Sequence, residues 1–333
     1  HKIAALLAEP FQSQSLQYRA SGSVGINLFG HLPSTVDELI RHADLAMYQA
    51  KSAGKNTYRF FDMGMQKMVD ERSWMGNELR LAVQRQQLSL DYQAQFGVQQ
   101  ELIGAEALLR WSFPGQGFVP PDIFIPLAEQ IGVLVDLGTW VLDVACQELA
   151  RWAAIPAMAH LMMAVNVSHQ QFQLPGFVAA VLDALARAGA RPDRLKLELT
   201  ESVLIQDLSF VRQSMATLKA QGVGFALDDF GTGYSSLKYL KQLALDQLKI
   251  DQSFVADVMT DSHDAAIARS IVTLGHSLGL QVIAEGVETV AQRDFLLSIG
   301  CDIFQGYLYS EPLAAKAFED FACIQQRGAN VQA

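Results

Sequence analysis

"LKLELTESVLIQDLSFVRQSMATLKAQGVGFALDDF", Leu195–Phe230, contains the unit from which the fold can be read. In its first part Glu198 stands between Leu197 and Leu199, the alternation of a strand. Its middle carries Leu208, Val211, Met215 and Leu218 at helical spacing. It closes on a second apolar, strand-like run that stops at Asp228 and Asp229. Strands separated by a helix imply a parallel pair. The adjacent aspartates raise a chemical question, because neighbouring like charges repel and an interior penalises an unpaired charge. A solvated turn is one answer; a cation held there is the other.

The same unit recurs outward from this stretch. Leu142, Ala145, Leu149 and Trp152 mark one helix, and Ile267, Ile271, Leu274 and Leu278 mark another. "LSLDYQAQFG" (Leu88–Gly97) and "LIGAEALLRW" (Leu102–Trp111) are strand-like and joined by a short polar turn, an antiparallel hairpin. So many β/α units in one domain point to a TIM-type (β/α)8 barrel. An open doubly wound sheet is the alternative, but no GxGxxG fingerprint supports a dinucleotide fold.

Polar residues fall at a constant place on these strands. Asn166 lies between Val165 and Val167, and Lys249 between Leu248 and Ile250, as Glu198 lies between leucines. Apolar neighbours that pack on outer helices leave Asn166, Glu198 and Lys249 pointing into a barrel. "VIAEGVE" adds Glu285, "IFQGY" adds Gln305, and Glu106 and Arg110 share a face of "GAEALLRW". Catalytic groups of such barrels gather at the C-terminal strand ends, so Glu106, Asn166, Glu198, Asp228, Asp229, Lys249, Glu285 and Gln305 are expected at one mouth. Each has a plainer role taken singly: a lone buried Asn bonds a nearby backbone, Lys196 pairs with Glu198, and Lys249 pairs with Asp251. Taken together, those roles require unrelated coincidences on successive strands. Oxygen donors without a His or Cys cluster favour Mg²⁺ or Mn²⁺ over zinc. So many carboxylates suit a pair of ions, the arrangement that cleaves phosphate esters. The "GTG" at Gly231–Gly233 would let the chain turn sharply enough for both aspartates to reach the mouth.

With 333 residues, 50% hydrophobic and 18% charged, the chain has ample material for a core. Its net charge of −10 argues against long nucleic acid, whose binding depends on Lys and Arg. Cys146, Cys301 and Cys323 are far apart and fit buried or incidental thiols in a reducing compartment, so a cytoplasmic location is expected. No apolar run approaches bilayer length, and "HKIAALLAEP" is too short for a signal peptide. The first sixty residues differ from the rest. "SGSVGINLFG" reads as a strand, and a helix opens at a Thr35–Glu38 capping box, with Leu39, Ala43, Met47 and Ala50 as its stripe and Gly54 past its end. A linking helix is expected from about Gln66 to Arg85, with Met75, Leu79, Ala82 and Val83 on one face.

"EALLRW" (Glu106–Trp111) resembles the signature of EAL-domain cyclic di-GMP phosphodiesterases, and "NVS", "LELTES", "DDFGTGYSSL", "LKID", "EGVET" and "QGY" follow in family order. The likeness runs from roughly Met75 to Phe321. It implies a modified TIM barrel with one antiparallel strand, and hydrolysis of cyclic di-GMP to linear pGpG by water activated on two metal ions, Mg²⁺ or Mn²⁺. By motif, Glu106, Asn166, Glu198 and Asp228 resemble the ligands of one metal, with Asp228 bridging to a second and Asp229 in support. Lys249 would hold the attacking water, Glu285 is a candidate base or metal-associated carboxylate, and the group that takes the proton is left open. Arg110, Gln93 and Gln305 resemble substrate contacts, and Glu201 an anchor for the "DDFGTGYSSL" loop. Ala94 stands where the family commonly has proline, which loosens the backbone beside Gln93.

"SVGI" and "HADLAMYQAKSAGKN" resemble the C-terminal half of a GGDEF (diguanylate cyclase) domain. No Gly-Gly pair is present, so no cyclase activity is expected, and Lys51 and Lys55 lack their triphosphate-binding partners. The resemblance divides the chain into a GGDEF-like remnant (1–63), a linking helix (64–80), the barrel (81–325) and a tail (326–333). It also implies a homodimer through the barrel, with upstream sensory domains or a membrane attachment left open for a longer natural protein. Rival readings are a receptor that binds cyclic di-GMP without hydrolysis, an enolase-like proton abstractor, and a purely structural regulatory module.

Overall fold

Period-two alternation on each strand sets how the chain closes on itself. The computed structural model describes residues 11–13, 16–18, 21–29, 35–113, 115, 117–205, 208–231 and 240–332. They belong to two units, residues 1–80 and 81–333.

In the first unit β1 (Phe11–Ser13) pairs antiparallel with β2 (Leu16–Tyr18), and β3 (Val24–Ile26) pairs in parallel with β4 (Tyr58–Phe60). Helix α1 (Val36–Ser52) connects β3 to β4. The capping box is present: Glu38 N donates to Thr35 Oγ1 at 3.3 Å, and Thr35 N donates to Glu38 Oε2 at 2.8 Å. Two paired strands cover little of α1, so Ala46 and Ala50 are buried while Val36 and Ile40 stay exposed. Helix α2 (Met63–Leu81) stops short of Arg85. Gln86 takes a left-handed φ of 54° and Gln87 N bonds Ala82 O at 3.0 Å, which unwinds the chain into a turn and leaves Val83 exposed.

The second unit begins with the antiparallel hairpin β5 (Leu88–Gly97) and β6 (Leu102–Phe113), extended by β7 (Gly117–Val119). Strands β8 (Met162–Val167), β9 (Leu195–Thr200), β10 (Gly224–Phe230), β11 (Gln247–Ile250), β12 (Gln281–Ala284) and β13 (Ile303–Gln305) follow, each parallel to the one before, with β8 parallel to β6. β13 then pairs antiparallel with β5, so eight strands close a barrel in which β5 is antiparallel to both neighbours. A short β14 (Leu313–Ala314) adds to β5.

Helices α3 (Pro121–Gln130) and α4 (Leu134–Ala153) precede β8, and α5 (His169–Phe172) and α6 (Phe177–Ala188) precede β9. Helix α7 (Leu208–Ala220) precedes β10, and α8 (Gln252–Ala256) and α9 (Ser262–Ser277) precede β12. Helix α10 (Val290–Ser298) precedes β13. The last helix is α11 (Ala315–Gln332).

The expected stripes face the strands: Leu142, Ala145, Leu149 and Trp152 of α4 and Val211, Met215 and Leu218 of α7 are buried. On α9 the buried set is Ala268, Ile271, Val272 and Gly275, one position round from the predicted stripe. A Cβ on Gly275 would lie 2.4 Å from Val282 Cγ2, so the helix approaches β12 where it has no side chain. Outside β5, Trp152 stacks on Phe318 of α11 with ring centres 5.2 Å apart, and Tyr92 meets Trp152 edge-on at 5.4 Å. Burying each such ring contributes about 2–3 kcal/mol. Among the described residues no helix is long and apolar enough to cross a membrane.

Candidate active site at the barrel mouth

Strand register builds the site. Asn166 lies beside Glu198 in the β8–β9 ladder, and Glu198 beside Ala226 in the β9–β10 ladder, which puts Asp228 one inward step higher. Lys249 pairs with Ile283 of β12, and Glu285 leaves that strand with its N–H on Ile250 O at 3.2 Å. Inward side chains of separate strands therefore end at one level.

The hub is Lys249, only 1% exposed. Its Nζ lies 2.5 Å from Glu198 Oε2, 2.6 Å from Glu285 Oε1, 3.2 Å from Asp228 Oδ1 and 3.6 Å from Glu106 Oε2. Glu106 is further held by Asn166, whose Nδ2 donates to Oε1 at 2.6 Å, and by Gln305, whose Nε2 donates to Oε2 at 2.7 Å. Gln305 Nε2 also donates to Gln93 Oε1 at 3.0 Å, so the glutamine beside Ala94 has a defined place. The plainer pairings are not formed. Lys196 lies on the same face one step below Glu198 and donates to Gln247 Oε1 at 2.8 Å. Asp251 caps α8 by accepting Ser253 N at 3.0 Å.

The adjacent aspartates are accommodated by the backbone. The β10–β11 register shifts between Leu227 and Phe230, a bulge, and inside it Asp229 has a φ of 54°. Such a bulge re-aims a side chain that strict alternation would send to the opposite face. The turn thus starts at Asp229 itself, with Gly231 (φ 102°) after it. Thr232 and Gly233, to which the sharp turn was also assigned, and the rest of that motif to Leu237 lie outside the described residues. Glu201 Oε1 accepts Gly231 N at 3.1 Å at the root of the loop. On the other flank, a Cβ on Gly306 would lie 2.3 Å from both N and O of Val287, so the turn after Gln305 can press against the Glu285 loop only with glycine.

Arg110 stands on the same face of β6 as Glu106 and is engaged by Asp91, with Nε to Oδ2 at 2.8 Å. Asp91 is not among the residues expected at the mouth, and neither is Gln95, which is buried and donates to Gln305 Oε1 at 2.9 Å. Both alternate with Gln93 on the inner face of β5, and that period was the signal for finding them. In the first unit, Lys51 and Lys55 are exposed near the end of α1.

Burial and like charge set the electrostatics. Burial pushes Glu285 up to about 8, against the pull of Lys249 and with the push of Asp228 and Glu106. Burial, then Asp228 and Asp251, raise Asp229 to about 6. Burial also lifts Glu198 well above the usual carboxylate range. For Glu106 burial is outweighed by Lys249 and the amide donors of Gln305 and Asn166, so its carboxyl falls below the usual range. Burial acts against the charge of Lys249, yet the surrounding carboxylates keep its ammonium well above its ordinary value.

Among the described residues, no three His, Cys, Asp or Glu groups already form a metal cage; the Lys249 ammonium stands among the carboxylates. The donor chemistry nonetheless fits hard cations, since every available ligand is an oxygen. Glu198 Oε1 is buried with no hydrogen-bond partner, an acceptor left open for a cation.

Comparison with known proteins agrees with this architecture. The EAL domain profile matches residues 76–312, and that of the diguanylate cyclase GGDEF domain matches residues 1–57. The bifunctional diguanylate cyclase/cyclic di-GMP phosphodiesterase MucR of Pseudomonas aeruginosa is 43% identical over 316 residues, 95% of this chain and 46% of its own length. The chain thus spans about half the length of that relative. The solved PaMucR phosphodiesterase in complex with c-di-GMP superposes with a TM-score of 0.70 at 45% identity, covering 73% of this chain and 98% of that one. The Klebsiella pneumoniae BlrP1 complex with manganese and cy-diGMP superposes at 0.59 with 28% identity, over 69% of this chain and 56% of that one. With its profile match, its barrel and its relatives in agreement, the chain belongs to the EAL-domain family, with the C-terminal part of a GGDEF domain ahead of the barrel.

Proposed function

We propose that this chain hydrolyses cyclic di-GMP to linear pGpG at the barrel mouth. The observation that carries the reading is the gathering of Glu106, Glu198, Asp228 and Glu285 around the Lys249 ammonium. Glu106, Asn166, Glu198, Asp228 and Asp229 would hold two Mg²⁺ or Mn²⁺ ions, which when bound supply Lewis acidity and a more acidic water. Lys249 donates to the attacking water and keeps it facing phosphorus. Glu285, raised by burial to about 8, is suited to take the proton as the water oxygen bonds to phosphorus and the ester oxygen leaves. Arg110 offers its remaining N–H groups to a phosphate oxygen, while Gln93 and Gln305 face the nucleotide. Glu201 holds the loop root through Gly231 N.

Chromatography of cyclic di-GMP after incubation with the protein and Mn²⁺ or Mg²⁺ tests this reading. Metal-dependent pGpG that disappears in Glu106→Ala is expected, and intact nucleotide bound with micromolar affinity would favour a receptor instead. Pairing of two barrels belongs to the same proposal; full activity from a monomer in sedimentation would overturn that part.

A further inference from the structure

We propose that Gln95 is a positioning residue that fixes Glu106 through Gln305, by an amide relay whose direction is set at its carboxylate end. What the relay serves rests on the phosphodiesterase reading; its geometry does not.

Gln95 lies opposite Gln305 in the β5–β13 ladder, and Gln93 lies opposite Glu106 in the β5–β6 ladder. Gln95, Gln305 and Glu106 are all buried. Gln95 Nε2 donates to Gln305 Oε1 at 2.9 Å, and Gln305 Nε2 donates to Glu106 Oε2 at 2.7 Å and to Gln93 Oε1 at 3.0 Å. Gln93 Nε2 reaches Ser310 O at 3.5 Å.

An amide can be turned over freely when its partners both donate and accept. Here it cannot. An ionised Glu106 only accepts, so Gln305 must present its NH₂ to the carboxylate and its carbonyl to β5. The carbonyl then needs a donor in a buried place, and Gln95 is the residue that supplies it. The same NH₂ fixes the Gln93 carbonyl, which offsets the freedom introduced by Ala94. With Asn166 on its other oxygen, Glu106 is held from two sides. Gln95 touches neither the proposed nucleotide position nor the reacting atoms, and acts only through Gln305.

Two near-isosteres break the relay differently. Gln95→Met removes the donor and leaves the Gln305 carbonyl unpaired. An ionised glutamate in Gln95→Glu attracts the Gln305 NH₂, turns that amide over and sets its carbonyl against Glu106. Turnover and KM for cyclic di-GMP would be measured with Mn²⁺, and Mn²⁺ alone would be titrated calorimetrically into nucleotide-free protein. Expected for Gln95→Met are a fall in kcat of about tenfold, larger than the accompanying rise in KM as Gln93 and Gln305 loosen, and Mn²⁺ affinity weakened about threefold or more. Expected for Gln95→Glu at pH 8 is a fall in kcat of about a hundredfold, easing toward pH 6 as the new carboxyl takes a proton and can donate. A folded Gln95→Met with kcat within about twofold of wild type overturns the relay, as does a loss seen in KM alone. Should Gln95→Glu fail to fold by circular dichroism, Gln95→Met decides by itself. If wild type leaves cyclic di-GMP intact, the phosphodiesterase reading falls. The Mn²⁺ titration then still judges the relay, and unchanged affinity in Gln95→Met overturns it.

Discussion

At the mouth of the barrel four carboxylates crowd one ammonium, and an oxygen of Glu198 is left without a partner. At the opposite end, Asp246 and Asp302 are each matched to two donors. Asp246, just before β11, accepts Phe225 N of β10 at 2.8 Å and pairs with Lys219 near the end of α7. Asp302, just before β13, accepts Val282 N of β12 at 2.8 Å and His276 Nε2 near the end of α9 at 3.0 Å. The two clasps repeat one design: an acid entering a strand binds the previous strand's N–H and a basic group of the helix that precedes that strand. Charge at this end closes local gaps between a helix and two strands. At the mouth it is concentrated beyond what the protein alone neutralises. Such separation is the rule for barrels of this class, whose lower face carries stability and whose upper face carries chemistry.

The sharpest way to break this contrast is Lys249→Met. Removing the hub leaves its carboxylates buried without a counter-charge. Turnover is expected to fall by about a thousandfold or more, and metal-free stability in urea by roughly 3–5 kcal/mol. Unchanged stability would mean that the mouth is not held by ionic attraction. Asp246→Asn at the other end should cost about 1–2 kcal/mol while turnover per folded molecule stays within about twofold. A larger loss of turnover than of stability would carry chemistry to the lower end.

The smallest effect is on pH. Glu285 (about 8) and Asp229 (about 6) lie above their unfolded values of 4.5 and 3.8. The folded protein thus holds protons that the unfolded chain has released. Their stabilisation is complete below pH 4 and is lost as pH rises through about 6 and then about 8. Metal-free protein should therefore melt a few degrees lower at pH 8.5 than at pH 6, about 2–4 °C for each kcal/mol lost. Mn²⁺ should raise the melting point more at the higher pH, because ions compete with those protons. A metal-free melting point that rises toward pH 8.5 would contradict the raised values.

Much of the fold was legible because strands and helices impose periods on apolar residues. The helical face of α4 and the inward places of Asn166, Glu198 and Lys249 follow from counting alone. The early end of α2 was not legible, since the apolar spacing continues through Val83 while the backbone turns at Gln86. Nor was the way Asp228 and Asp229 share the mouth. Alternation sends neighbours to opposite faces, and only the bulge with a left-handed Asp229 relaxes that rule.

By itself the sequence determined which side chains point inward and which motifs they belong to, because those properties depend on neighbours one to four positions away. Partnership was decided by the tertiary structure. Lys249 binds Glu198, Asp228 and Glu285 rather than the nearby Asp251, and Lys196 turns to Gln247 rather than Glu198. Gln95 meets Gln305 from 210 residues away. The physical reason is closure. The register between strands distant in sequence brings their inward residues to one level, and no local period encodes that register.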